Sequence, residues 1–243
     1  MMNKVFTRGW IKLSIDWGLD GFYNYIEEME GILNLQLEKL VNEYKEESKN
    51  LSEDQAEDFY EYNYADQVNY FKDDFPNILR KSFVTSLYSF LEQQLVKVCQ
   101  EVHKVIQDDS YNRKYNRSPI FYSYKYLTEE VKVDSDTLNE TWSKIEKLNK
   151  IRNHLVHNGG DTLNKIKDPK NKNDEKNNET LDAFIYYNLA KEDKKYNEFL
   201  ISENKAHKLK YDIKISSDFC EEILNITREF FDTLTNLLKD HKA

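Results

Sequence analysis

The chain has 243 residues, 39% hydrophobic and 33% charged, with only six Gly and three Pro. That balance describes a folded chain of one large domain, or a domain with a substantial extension, and so little Gly and Pro excludes an all-β architecture built on many tight turns. The net charge of −9 excludes a general duplex-DNA binder, whose affinity comes largely from Lys and Arg neutralising phosphates. It leaves room for an enzyme with a local cationic site.

Met1 to Asp20 shows no clean periodicity and is punctuated by Gly9-Trp10 and Trp17-Gly18, so a loop, a short strand or a packing arm is expected. It scatters Lys4, Arg8 and Lys12 among its hydrophobics and lacks the apolar run of a signal peptide. From Gly21 to about Asn50 a helix is expected, on Phe22, Ile26, Met29, Leu33, Leu37, Leu40 and Tyr44. Ser52 and Gln55 form a capping-box pattern, opening an acidic, Tyr-rich helix to about Asp74. Residues 1–75 are read together as an N-terminal arm and helical extension packed on the core.

Residues 76–243 form the main domain. Asn77 to about Gln107 is a helix apolar over a wide arc, with Phe83, Leu87, Phe90, Leu91, Leu95, Val98, Val102 and Ile106 on one stripe. Thr85, Tyr88, Glu92, Val96 and Cys99 lie beside them, so the helix is central and Glu92 sits among residues suited to burial. Asp108–Val133 is an aromatic connection with a short helix near Ile120–Leu127. Ser135 or Asp136 caps the next helix, Thr137 to Val156, which stops at Asn158-Gly159-Gly160. Residues 161–180 are polar and aperiodic, a mobile loop. Phe184–Leu189, Glu198–Ser202 and Leu209–Ile215 are expected as strands of a small antiparallel sheet over 184–215. Ser216-Ser217-Asp218 caps the last helix, Phe219 to about Lys239. Cys99 and Cys220 lie in apolar helical patterns and are expected as buried, reduced thiols. No run approaches the ~20 apolar residues of a membrane span; a cytoplasmic protein without a membrane partner is expected.

The chemistry concentrates at the end of the 137–156 helix. Leu138, Trp142, Ile145, Leu148, Ile151, Leu155 and Val156 fill about half of its wheel, and Arg152 falls near the middle of that arc. A core-facing guanidinium is costly unless paired, because it cannot shed its charge. Asn149, Asn153 and His157 form a row along the edge of the arc. Arg presents a planar fork to two phosphate oxygens, and His exchanges protons near neutral pH. RNA carries its own nucleophile, the 2′-hydroxyl, so a positioned cation and a proton shuttle suffice.

Arg152-Asn153-x-x-x-His157 resembles the R-N-x-x-x-H signature of the HEPN superfamily, and Ser86–Leu95 resembles that family's central helix, in which an acidic residue often supports the Arg. The match covers about Asn77 to His157 and the closing helix. The resemblance implies a mainly α, HEPN-like helical bundle, here with an N-terminal helical extension and a small β insertion before the last helix. It implies a metal-independent endoribonuclease needing no cofactor, acting as a toxin or anti-phage abortive-infection effector. The site would be shared by a homodimer whose two motifs face each other. Arg152 would bind the scissile phosphate, His157 would transfer protons, Asn153 would orient its neighbours, and Glu92 would position Arg152, with Asn149 in support. An antitoxin or regulatory protein is a possible partner besides RNA. A family subset has a Tyr two residues after the motif His; here that position is Gly159, so its modification-based regulation is not expected.

Arg152 and His157 diverge by roughly 140° on a regular helix, which points to a shared site or an unwound helix end. The alternative is a non-catalytic HEPN-like module that binds a nucleotide or a partner protein. His154 and His157 lack the nearby carboxylate or Cys that a metal site needs. The acidic runs Glu27–Glu30 and Glu57–Glu61 are read as solvated helix faces.

Overall fold

In the structure, a computed structural model describing residues 2–106, 118–157, 163–164, 166, 169–189, 210–211 and 214–240, helix α1 runs unbroken from Met2 to Glu47. The loop, strand or arm expected over Met1–Asp20 is therefore the opening of this helix. Its inner stripe is Ile15, Leu19, Ile26 and Leu33, all buried, with Ile11, Phe22 and Met29 packed alongside. The residues read as punctuation do not interrupt it. Gly18 lets α1 approach the next long helix closely: a Cβ there would lie 2.4 Å from the Phe90 ring. Trp10 and Trp17 stand on the outer face, 53% and 64% exposed. Ile15 and Leu19 enter the same core as the later helices.

The capping box at Ser52 and Gln55 forms as expected and starts α2 (Glu53–Asn63). The helix expected to continue to Asp74 breaks at Tyr64, where φ is −124°. Tyr64 turns inward, donating its hydroxyl to Glu47 (2.8 Å) and setting its ring edge-on to Tyr44. The chain resumes as α3 (Ala65–Asn69) and a π-helical turn, Tyr70–Asp74, before α4 (Phe75–Ile106). Pro76 falls in the first turn of α4, directly after the π-helical turn, where its missing N–H takes one hydrogen bond out of a continuous run of helix.

Helix α4 is central: Phe83, Val84, Leu87, Tyr88, Leu91, Leu95 and Cys99 are all buried to 1% exposure or less. After α5 (Pro119–Lys125) and a second π-helical turn, Tyr126–Glu130, Lys132 takes φ 63° and redirects the chain into α6 (Ser135–His157). The α6 cap is Asp134, one residue before the positions expected: its carboxylate accepts from the Asp136 N–H (3.1 Å) and the Thr137 hydroxyl (2.6 Å). That hydrogen bonding holds the Asp134 carboxyl below its usual range.

The segment after α6 departs most from expectation. Lys172–Leu189 is a helix, α7, so the loop expected over 161–180 ends early and the strand expected at Phe184–Leu189 does not form. Asn171 accepts from the Asn173 and Asp174 N–H groups and starts the helix. Leu181, Phe184 and Tyr187 recur at three-residue steps and are buried, and the Tyr187 hydroxyl donates to the Lys144 carbonyl (2.6 Å). Short aromatic runs read equally as strand or helix until the surface they cover is known. Among the described residues the small sheet expected over 184–215 does not appear; the pairing there is a two-residue antiparallel ladder, β1 (Leu163–Asn164) with β2 (Lys210–Tyr211). Glu198–Ser202 and the Asn158-Gly159-Gly160 stop lie outside the described residues. The last helix, α8 (Ser217–Asp240), is capped by Ser216, whose hydroxyl accepts from the Phe219 N–H (3.1 Å).

The fold is mainly helical. α1 and α6 each pack against α4 and α8 and occupy opposite corners of the bundle, while α7 flanks α6. Glu30 of α1 is not simply solvated: Arg80 of α4 holds both its oxygens (2.5 and 2.7 Å) and also donates to the Ile215 carbonyl (3.2 Å). Cys99 and Cys220 are free and buried, as expected. Among the described residues no helix is long and apolar enough to cross a membrane.

Candidate functional site

The rotation of α6 is set by its buried stripe, Leu138, Trp142, Ile145, Leu148, Ile151 and Leu155. Burying that stripe turns Arg152 toward α4, where it is half-buried. Its guanidinium lies over the Tyr88 ring, with Cζ 5.3 Å from the centroid. A cation over a ring face is attracted by the ring quadrupole, more strongly as water is excluded. Nη1 donates to Asn153 Oδ1 (3.0 Å), and Asn153 Nδ2 donates in turn to Asn149 Oδ1 (3.3 Å). The row of amides foreseen along α6 thus acts as a relay that steers the guanidinium. The Arg152 Nε is buried and makes no hydrogen bond.

Tyr88 is the residue that sequence reasoning passed over, grouping it with an apolar row. It is 1% exposed, and its hydroxyl is buried without a hydrogen-bond partner among the described residues. Burial pushes the phenol well above its ordinary range, the Glu92 carboxylate adds to that rise, and Arg152 partly opposes it. At neutral pH Tyr88 is therefore a neutral donor set between a cation and an anion. The available signal was its spacing, one helical turn before the candidate acid.

Glu92 is half-buried on α4. The direct ion pair expected between Glu92 and Arg152 is not formed; Arg152 has Tyr88 and Asn153 instead. The Glu92 carboxylate acts electrostatically on the same Tyr88 hydroxyl that Arg152 acts on, in the opposite direction. Among the described residues Arg152 thus has no carboxylate partner. A half-buried guanidinium in that state is open to an anion, and its fork matches phosphate or carboxylate oxygens.

His157 is the last residue of α6 and is exposed, with no hydrogen bond among the described residues. His154 points the other way: it is 7% exposed and edge-on to Phe184, 6.4 Å between centroids. The two imidazoles therefore do not converge, and among the described residues no three His, Cys, Asp or Glu side chains gather to hold a metal ion. Arg152 and His157 share a helix end but not a face. Two described grooves lie on α1, one beside Gly18 and Ser82, the other beside Glu27, Glu30 and Asp218; neither includes Arg152 or His157. Comparison of the chain with protein-family models, with curated proteins and with solved structures finds no match.

Proposed function

We propose that the chain is an endoribonuclease of HEPN type with a HEPN-like bundle, acting as a toxin or anti-phage effector. The observation that carries the reading is Arg152: a half-buried cation steered by Tyr88 and Asn153, without a carboxylate partner among the described residues, at the helix end that also bears His157. Such a group suits a phosphate. In the reaction, the ribose 2′-oxygen attacks the adjacent phosphorus as His157 accepts its proton. The P–O5′ bond then breaks, the 5′-oxygen takes that proton from the His157 imidazolium, and a 2′,3′-cyclic phosphate remains. Arg152 stabilises the charge that builds on the phosphate oxygens, and no metal is required by these steps. The divergence of Arg152 and His157 argues that the His157 nearest a bound phosphate comes from a second copy.

The test is RNA cleavage in EDTA by wild type, Arg152→Ala and His157→Ala, with end-group analysis and circular dichroism of each variant. Wild-type cleavage to cyclic-phosphate ends, lost in both folded variants, is the expected result; undiminished cleavage in both would refute the reading. The same divergence favours a second reading, a non-catalytic module in which Arg152 binds a nucleotide or an acidic partner. Binding without cleavage, unaffected by His157→Ala, selects it.

A further inference from the structure

The outer face of α1 is exposed to solvent from Trp10 to Leu35, and its residues follow a pattern. Trp10, Leu13, Trp17, Gly21, Asn24, Glu28, Ile32 and Leu35 are all exposed. Their spacing is 3-4-4-3-4-4-3, an 11-residue repeat in which Trp10, Gly21 and Ile32 share one phase, as do Leu13, Asn24 and Leu35. Eleven residues fill three helical turns almost without drift, so these side chains form one straight stripe, within about 50° of a common direction. The stripe lies opposite Ile15, Leu19, Ile26 and Leu33, which face the core.

The stripe also reads the same from both ends. About a midpoint between Phe22 and Tyr23, Trp10 matches Leu35, Leu13 matches Ile32, Trp17 matches Glu28 and Gly21 matches Asn24. Large apolar residues stand at both ends and small ones at the centre, where a Cβ on Gly21 would meet nothing within 4 Å. We propose that this face pairs with the same face of a second copy, antiparallel, with the two α1 helices crossing at Gly21 and Asn24. A two-fold axis requires self-complementarity, residue i on j and j on i, and the pattern supplies it. Apolar side chains meet apolar side chains at both ends. The Trp17–Glu28 pair is complementary as well: the Trp17 indole N–H is a donor and the Glu28 carboxylate an acceptor.

The area suffices. The exposed parts of Trp10, Leu13, Trp17, Ile32 and Leu35 (53%, 38%, 64%, 50% and 62%) amount to about 500 Å² per protomer, so the pair buries about 1,000 Å², the lower bound for a specific interface, before polar neighbours count. An anionic membrane is a poorer occupant, since Glu28 stands in the stripe and Asp20 and Glu27 flank it, where a membrane-seeking helix carries Lys and Arg. The pairing is also distinct from one across α6, because α1 occupies the opposite corner of the bundle. It does not depend on the ribonuclease reading.

Sedimentation of the full chain at concentrations up to about 100 µM, wild type against Trp17→Glu and against Leu13→Glu with Ile32→Glu, tests the interface. Pairing through α1 is expected for wild type, giving a dimer by itself and a larger assembly where α6 also pairs, and it is weakened at least about tenfold in each variant, with helical circular dichroism unchanged because the substituted residues are exposed. Should a glutamate variant fail to fold, Trp17→Gln replaces it. Register is read by disulfide trapping: a mixture of Gly21→Cys and Asn24→Cys chains should cross-link in excess of either alone, the native cysteines being buried. A monomer throughout, a dimer indifferent to the α1 substitutions, or Gly21→Cys cross-linking best to itself would each overturn the proposal.

Discussion

Replacing Tyr88 separates what its ring does from what its hydroxyl does. The hydroxyl is buried and bonds to nothing among the described residues, and a buried polar group left unsatisfied costs about 1–3 kcal/mol. Tyr88→Phe keeps the ring under Arg152 and removes that cost, so the fold should gain about 1 kcal/mol. Tyr88→Leu removes the ring face 5.3 Å from the Arg152 Cζ. It should lose about 1 kcal/mol of cation–ring attraction in addition to packing. The attraction is isolated by a double-mutant cycle with Arg152→Gln, in which a coupling of about 1 kcal/mol is expected, against about 0.3 for independent sites. Urea unfolding followed by circular dichroism measures all four chains, read as midpoint shifts at constant slope. Two results refute the reasoning: a Tyr88→Phe variant less stable than wild type by about 1 kcal/mol or more, or a coupling indistinguishable from zero. The first means the hydroxyl is bonded after all, and the second that the ring does not hold the guanidinium.

Gly18→Ala places a Cβ 2.4 Å from the Phe90 ring; crowding of about 1–3 kcal/mol outweighs the ~1 kcal/mol gain in helix propensity. The variant should melt lower than wild type, and adding Phe90→Leu should restore much of the loss. Cys220 bears on alkaline stability. Burial raises its thiol to about 12, Glu30 adding and Arg80 subtracting, whereas an unfolded thiol ionises near 9. The folded state therefore holds the proton longer. Its contribution is complete below pH ~9 and falls by about 1.4 kcal/mol per pH unit as pH climbs toward 12. Between about pH 9 and 10, before unfolded tyrosines ionise, Cys220→Ala should flatten that decline in urea midpoints measured with reductant present; an unchanged slope would contradict the burial argument.

The parts of this chain that were legible are those governed by neighbours in sequence. The Ser52–Gln55 box, the wide apolar arc of α4 and the core-facing phase of Arg152 depend on spacings of three and four residues, and spacing is written in the chain. The opening of α1 was not legible. Gly9, Gly18 and two tryptophans obscure its periodicity, and it becomes a helix because Ile15 and Leu19 find α4 and α8 to cover them. Phe184–Leu189 is likewise helical because α6 offers a surface at helical spacing, to which Tyr187 bonds at Lys144. At the site the sequence supplied an arginine that needed a partner and named Glu92 on the nearer helix. Which group meets the guanidinium depends on how α4 and α6 are rotated against each other. That rotation is set by the whole buried stripe of each helix, and it brings the Tyr88 ring, one turn earlier, into contact with Arg152. Glu92 is left to act on the Tyr88 hydroxyl electrostatically.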